Sequence, residues 1–142
     1  MIKMKNYSKL ILEAKKAREK AYAPYSKYKV GAAILAKSGK IYLGANVENV
    51  IYRGTHAEKL ALDSAVMAGE REFIAVAITL DDALLPFPCA QCLQDLTEFD
   101  NGEGKLIIIT SNPAGKSRES TLGKLLPERF GPANLGINVK KY

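Results

Sequence analysis

Two short stretches, Thr55-His56-Ala57-Glu58 and Pro88-Cys89-Ala90-Gln91-Cys92, constrain this chain more than any other part of it. They hold its only histidine and both of its cysteines, and 29 residues, 59–87, separate them. For these side chains to act together, the intervening chain must leave one motif, cross the molecule and return to the other. Three soft or borderline ligands with one carboxylate suit a catalytic zinc centre, in which three protein ligands leave a fourth position open. Glu58 lies two residues from His56, too close to be a comfortable fourth ligand. It is placed instead to accept a proton from water activated by the metal.

Simpler readings exist for each half. A lone histidine is usually an ordinary surface or core residue. A lone C-x-x-C pair suits a thioredoxin-like redox centre or half of a zinc ribbon. A ribbon needs a second ligand pair, and His56 is the single Cys or His left to supply it. The redox reading leaves H-A-E without a role. The order and spacing of the two motifs therefore favour one zinc site.

At 142 residues the chain is expected to be a single domain, residues 1–142. A chain of that size buries roughly 68–70% of its unfolded surface, enough for a core without disulfide staples. Two cysteines three positions apart suggest metal binding in a reducing compartment. The opening M-I-K-M-K-N carries no apolar signal region, and no stretch approaches a membrane span, so a cytoplasmic location without membrane association is expected. The net charge of +6 is spread along the chain, with a modest basic cluster from Lys15 to Lys29. Aromatic and basic residues do not interleave as in a single-strand binder, so nucleic acid is not the expected partner.

Tyr7, Leu10, Ile11, Ala14 and Ala17 fall at helical spacing and predict an amphipathic helix over 6–20, with Asn6 as N-cap. Residues 29–36 and 41–44 read as a hairpin around Ser38-Gly39-Lys40, followed by irregular chain over 45–54. A helix is predicted from near His56 to Gly69, a strand over 72–80, and a proline-containing loop over 81–88. A third helix from near Cys89, a strand over 105–110 and a loop over 112–120 follow. A helical turn over 121–126 is stopped by Pro127, and the tail from Gly131 should lie over the surface.

This order predicts an α/β fold: three layers, α-β-α, around a mixed and mostly parallel sheet with right-handed crossovers. Both metal motifs then open helices, where dipole and free N–H groups favour thiolate over thiol.

H-x-E with P-C-x-x-C is the signature of the zinc deaminases, and the chain resembles the cytidine deaminase family well beyond it. Ala21-Tyr22-Ala23-Pro24-Tyr25-Ser26 with Val30-Gly31-Ala32-Ala33 is similar to that family's N-terminal segment. Gly44-Ala45-Asn46-Val47-Glu48-Asn49 resembles its N-x-E element, and Leu125-Leu126-Pro127 with Phe130-Gly131-Pro132 its C-terminal signature. The resemblance runs from about Ala21 to Leu135. It implies Zn²⁺ held by His56, Cys89 and Cys92, with Glu58 as proton shuttle. It also implies Asn46 and Glu48 on the ribose, Tyr28 against the base where the family usually has Phe, and the Ala57 N–H on the base carbonyl. Phe130 would reach a neighbouring subunit's site, since short chains of this family are homotetramers.

The implied reaction is hydrolytic deamination of cytidine or deoxycytidine in pyrimidine salvage. This chain also departs from the family. Short members commonly have Cys at His56 and Arg at Lys59; two thiolates and a neutral imidazole around Zn²⁺ sum to zero charge, so an Arg is less needed. Ala90 replaces Gly, Leu93 replaces Arg, and the Glu48–His56 segment is slightly shorter. The shorter segment and the positive charge keep open another aminated substrate, such as a blasticidin-type nucleoside antibiotic or, further off, polynucleotide cytosine. A non-enzymatic zinc-stabilised binding module is the alternative of a different class; Glu58 argues against it.

Overall fold

The computed structural model describes residues 6–142. Helix α1 (Ser8–Arg18) precedes a hairpin of β1 (Val30–Ala36) and β2 (Ile41–Ala45). Then come α2 (Ala57–Met67), β3 (Phe73–Leu80), α3 (Ala90–Thr97), β4 (Ile107–Ser111), β5 (Ser117–Thr121) and a short α4 (Leu122–Leu125). Two 3₁₀ turns, Pro132–Leu135 and Val139–Lys141, carry the tail.

The strands form one five-stranded sheet in the order β2-β1-β3-β4-β5. The mixed sheet is as expected, but its dominant direction is not. β1 pairs antiparallel with both β2 and β3, β4 pairs antiparallel with β5, and only β3 and β4 are parallel. The helix crossovers are where the sequence placed them; the difference lies in the hairpin. β2 and β3 run the same way, yet the hairpin partner β1 lies between them, so the β2–α2–β3 crossover joins strands that do not touch.

Strand alternation divides the core between the two faces. On one face Ile34, Val76, Ile78 and Leu80 pack with Ala57, Ala61, Leu62 and Ala65 of α2 and with Leu93 and Leu96 of α3. On the other, Ala33, Ala75, Ala77 and Ile109 receive Leu10 and Ala14 of α1. Small residues on that face let a single helix close it.

The α2 start is fixed by a close approach. A Cβ at Gly44 in β2 would lie 2.2 Å from the Ala57 carbonyl oxygen and 2.4 Å from the Ala61 nitrogen. Glycine there lets the first turn of α2 sit on the sheet, which sets the height of His56 and Glu58. At the other end Gly69, φ 96°, follows the C-cap Ala68 as the left-handed residue that stops the helix.

Two local expectations are corrected. The segment 112–120 is not all loop: Ser117–Thr121 is an edge strand. Its S-R-E-S-T sequence lacks an apolar face, but charge on an exposed edge is what discourages further pairing. Asn6 is not the N-cap of α1; Tyr7 holds that position, and the Asn6 amide oxygen instead accepts from the Ser8 N–H at 2.9 Å.

Candidate active site

His56 and Cys89 occupy the same place in two different helices. Each is an N-cap, of α2 and α3 respectively, with ψ of 153° and 163°. Cys92 follows one turn into α3 and is buried. The three ligand atoms lie within 4.8 Å of one another. His56 Nδ1 stands 3.2 Å from Cys92 Sγ and 3.4 Å from Cys89 Sγ. A tetrahedral Zn²⁺ with ordinary bonds separates nitrogen and sulfur ligands by about 3.6 Å. Both nitrogen–sulfur separations fit that ion to within a few tenths of an ångström, and Nδ1 is the nitrogen that faces both sulfurs.

Glu58 is buried in the first turn of α2, and its Oε2 lies 3.6 Å from Cys92 Sγ. Burial pushes its carboxyl above the usual range, more than its own N–H, His56 and Cys92 pull it down. A carboxyl raised this way exchanges protons more readily near neutral pH. Burial, followed by the Glu58 and Cys89 charges, also pushes the Cys92 thiol up. This runs in the opposite direction to the thiolate preference expected from the helix N-terminus. A divalent ion between the ligands reverses the balance.

These groups open into a cleft of about 430 Å³, a size that suits a small organic molecule. His56, Ala57, Glu58 and Cys89 line it together with Tyr28, Asn46 and Glu48. The Asn46 amide oxygen accepts from the Val30 N–H at 2.9 Å, and its nitrogen donates to the Tyr28 carbonyl at 2.7 Å. It therefore bridges the chain entering β1. Glu48 Oε1 accepts from the N–H groups of Tyr25 and Ser26 at 3.0 and 3.1 Å. Hydrogen bonds from Ser26, then Tyr25, hold its carboxyl below the usual range. The Tyr28 hydroxyl, absent from a Phe, donates to Asp82 Oδ2 at 3.2 Å.

Phe130 is not in this cleft; the residue is 61% exposed. Lys59 pairs with Asp63, 2.7 Å away. Cleft residues to which the sequence gave no site role include Tyr25, Tyr52, Pro86, Phe87 and Pro88. The P-F-P run just before Cys89 was the available signal, because a rigid loop leading into a ligand must pass the site.

Residues 4–109 match the family model described as the cytidine and deoxycytidylate deaminase zinc-binding region. The chain belongs to this family. The deaminase zinc-binding region and the His56, Cys89 and Cys92 cluster identify Zn²⁺ as the metal. A cytidine deaminase of Sporosarcina psychrophila is 46% identical over 134 residues, 94% of this chain and 97% of that one. One from Halalkalibacterium halodurans is 41% identical, over 85% and 91%. The crystal structure of cytidine deaminase from Burkholderia pseudomallei superposes with a TM-score of 0.83 at 43% identity, covering 89% of this chain and all of that one. Among the described residues no helix is long and apolar enough to cross a membrane.

Proposed function

We propose that the chain is a zinc-dependent hydrolase that deaminates cytidine and deoxycytidine to uridine and deoxyuridine, releasing ammonia. One observation carries this reading: His56, Cys89, Cys92 and buried Glu58 converge on a nucleoside-sized cleft in a member of the cytidine deaminase family. The extensive match to named cytidine deaminases favours it over a nucleoside antibiotic, polynucleotide cytosine or a non-enzymatic zinc module.

Zinc, when bound, supplies the Lewis acid that makes water nucleophilic near neutral pH. Glu58 takes a proton from that water and passes it to N3 as C4 is attacked. It then takes the remaining proton from the hydroxyl now on C4 and delivers it to the departing amine, so water and cytidine become uridine and ammonia. The Ala57 N–H, unsatisfied in the first turn of α2, holds the base carbonyl. Tyr28 stands against the base, and Asn46 and Glu48 hold the ribose. Glu48 Oε1 is committed to Tyr25 and Ser26, which leaves Oε2 for a sugar hydroxyl.

In this reading residues 1–142 act as one catalytic domain within a homotetramer, and Phe130 completes a neighbour's cleft. Support comes from how Phe130 is presented: Gln94 Nε2 donates to its carbonyl at 2.8 Å while its ring stays exposed. The free cysteine pair suits the reducing cytoplasm, and the reaction suits pyrimidine salvage.

Ammonia release from cytidine, deoxycytidine, cytosine, a blasticidin-type antibiotic and a cytosine oligonucleotide tests the assignment. Turnover of the first two is expected. Inert cytidine alongside turnover of another compound would replace the substrate.

A further inference from the structure

In the β4–β5 pair Thr110 lies directly opposite Arg118. Opposed residues of an antiparallel pair project from the same face, and both of these side chains reach the 81–88 loop between β3 and α3. Thr110 Oγ1 donates to the Pro86 carbonyl at 2.9 Å, and Arg118 Nε donates to the Leu85 carbonyl at 2.8 Å. The Arg118 guanidinium carbon also stands 4.2 Å from the centroid of the Phe87 ring, within cation–π range. One cross-strand pair thus holds two consecutive carbonyls and the aromatic ring that follows.

The loop needs holding. Leu85 has φ 51°, a left-handed conformation that a leucine keeps only where its surroundings impose it. The three residues after it, Pro86, Phe87 and Pro88, all line the cleft and lead straight into Cys89. Arg118 is not among the cleft-lining residues, and no reaction step uses it.

We propose that Arg118 is a positioning residue for the nucleoside base: it fixes the Phe87 ring as cleft wall and so sets how tightly the substrate is held, without touching it. The proposal rests on the reading that the cleft takes a nucleoside. The guanidinium suits the task because one of its fixed donors, Nε, reaches the Leu85 carbonyl while its central carbon lies over the ring. Lysine keeps a cation but not that fork; methionine keeps the length and loses both.

The test compares zinc-loaded wild type with Arg118→Met, Arg118→Lys, Phe87→Leu and the Arg118→Met/Phe87→Leu double variant. Arg118→Met is expected to raise KM for cytidine about three- to tenfold. Its kcat should stay within about twofold, with zinc content unchanged. Arg118→Lys should fall between wild type and Arg118→Met. In the Phe87→Leu background Arg118→Met should raise KM less, because the two residues act as a pair. Amide exchange over residues 81–89 should quicken in Arg118→Met while that of α2 does not. Wild-type KM in Arg118→Met, or a joint loss of stability, zinc and kcat without a change in KM, would overturn the proposal. A wild type that leaves cytidine untouched would sink the substrate reading instead. The loop then decides for Arg118: quickened exchange over 81–89 supports its hold on the cleft wall, and unchanged exchange rejects it.

Discussion

His56 and Cys89 are equivalent residues in α2 and α3: both are N-caps, and neither caps its helix through its side chain. An N-cap Ser, Thr, Asp or Asn typically contributes about 1 kcal/mol over a residue that cannot cap. Both helices forgo that contribution at the point where they meet, and the metal joins the two uncapped ends. Removing zinc with a chelator should therefore lower the melting temperature by at least about 5 °C. Thermal unfolding followed by circular dichroism, with and without added zinc, checks this. An unchanged midpoint would mean the metal is not coupled to folding.

Glu58→Gln should retain one zinc per chain and lose kcat by about 10²–10⁴-fold. The substitution keeps the shape of a buried side chain while removing the group that carries protons. Metal analysis and ammonia release on the same preparation separate these effects. Full activity would remove Glu58 from the reaction.

Glu48→Ala should raise KM for cytidine about tenfold or more, with little change on free cytosine. Its pH dependence has a definite sign. Hydrogen bonds from Ser26 and Tyr25 depress the folded-state pKa, so the carboxylate's contribution is complete above its ordinary value of 4.5 and disappears as pH falls through the lower folded value. KM should be flat down to that region and rise below it, and the variant should lack this acid limb. KM profiles of both proteins over that range provide the measurement; coincident profiles would place the ribose elsewhere.

Phe130→Ala should raise KM while leaving the melting temperature within a few degrees of wild type. The ring is exposed, whereas its backbone is held by Gln94 on one side and by the neighbouring Arg129 on the other. Arg129 pairs with the nearly buried Asp100 at 2.8 Å, so the tail stays anchored when the ring is removed. Light scattering gives the assembly state. A monomer with full activity would contradict a shared site.

The sequence by itself singled out His56, Cys89, Cys92 and Glu58, which the fold brings together, and the helices that carry them. Those follow from rare residue types and short-range periodicity: one histidine, one C-x-x-C pair, and apolar positions recurring three and four apart. The β1–β2 hairpin was legible for the same reason, since its turn and both strands are adjacent in the chain. Tertiary structure alone decided that β1 lies between β2 and β3, because strand order is a choice among partners distant in sequence. It turned the polar Ser117–Thr121 into a strand through pairing with β4, which no local apolar pattern announces. It also tied one donor and one acceptor of the Asn46 amide to the backbone of Tyr28 and Val30, and brought Arg118 over Phe87 from 31 positions away, 118 minus 87. Such contacts exist only once the sheet has closed, and the burial that pushes the Cys92 thiol up arises for the same reason. Solvation is set by the whole fold, not by the neighbours a residue has in sequence.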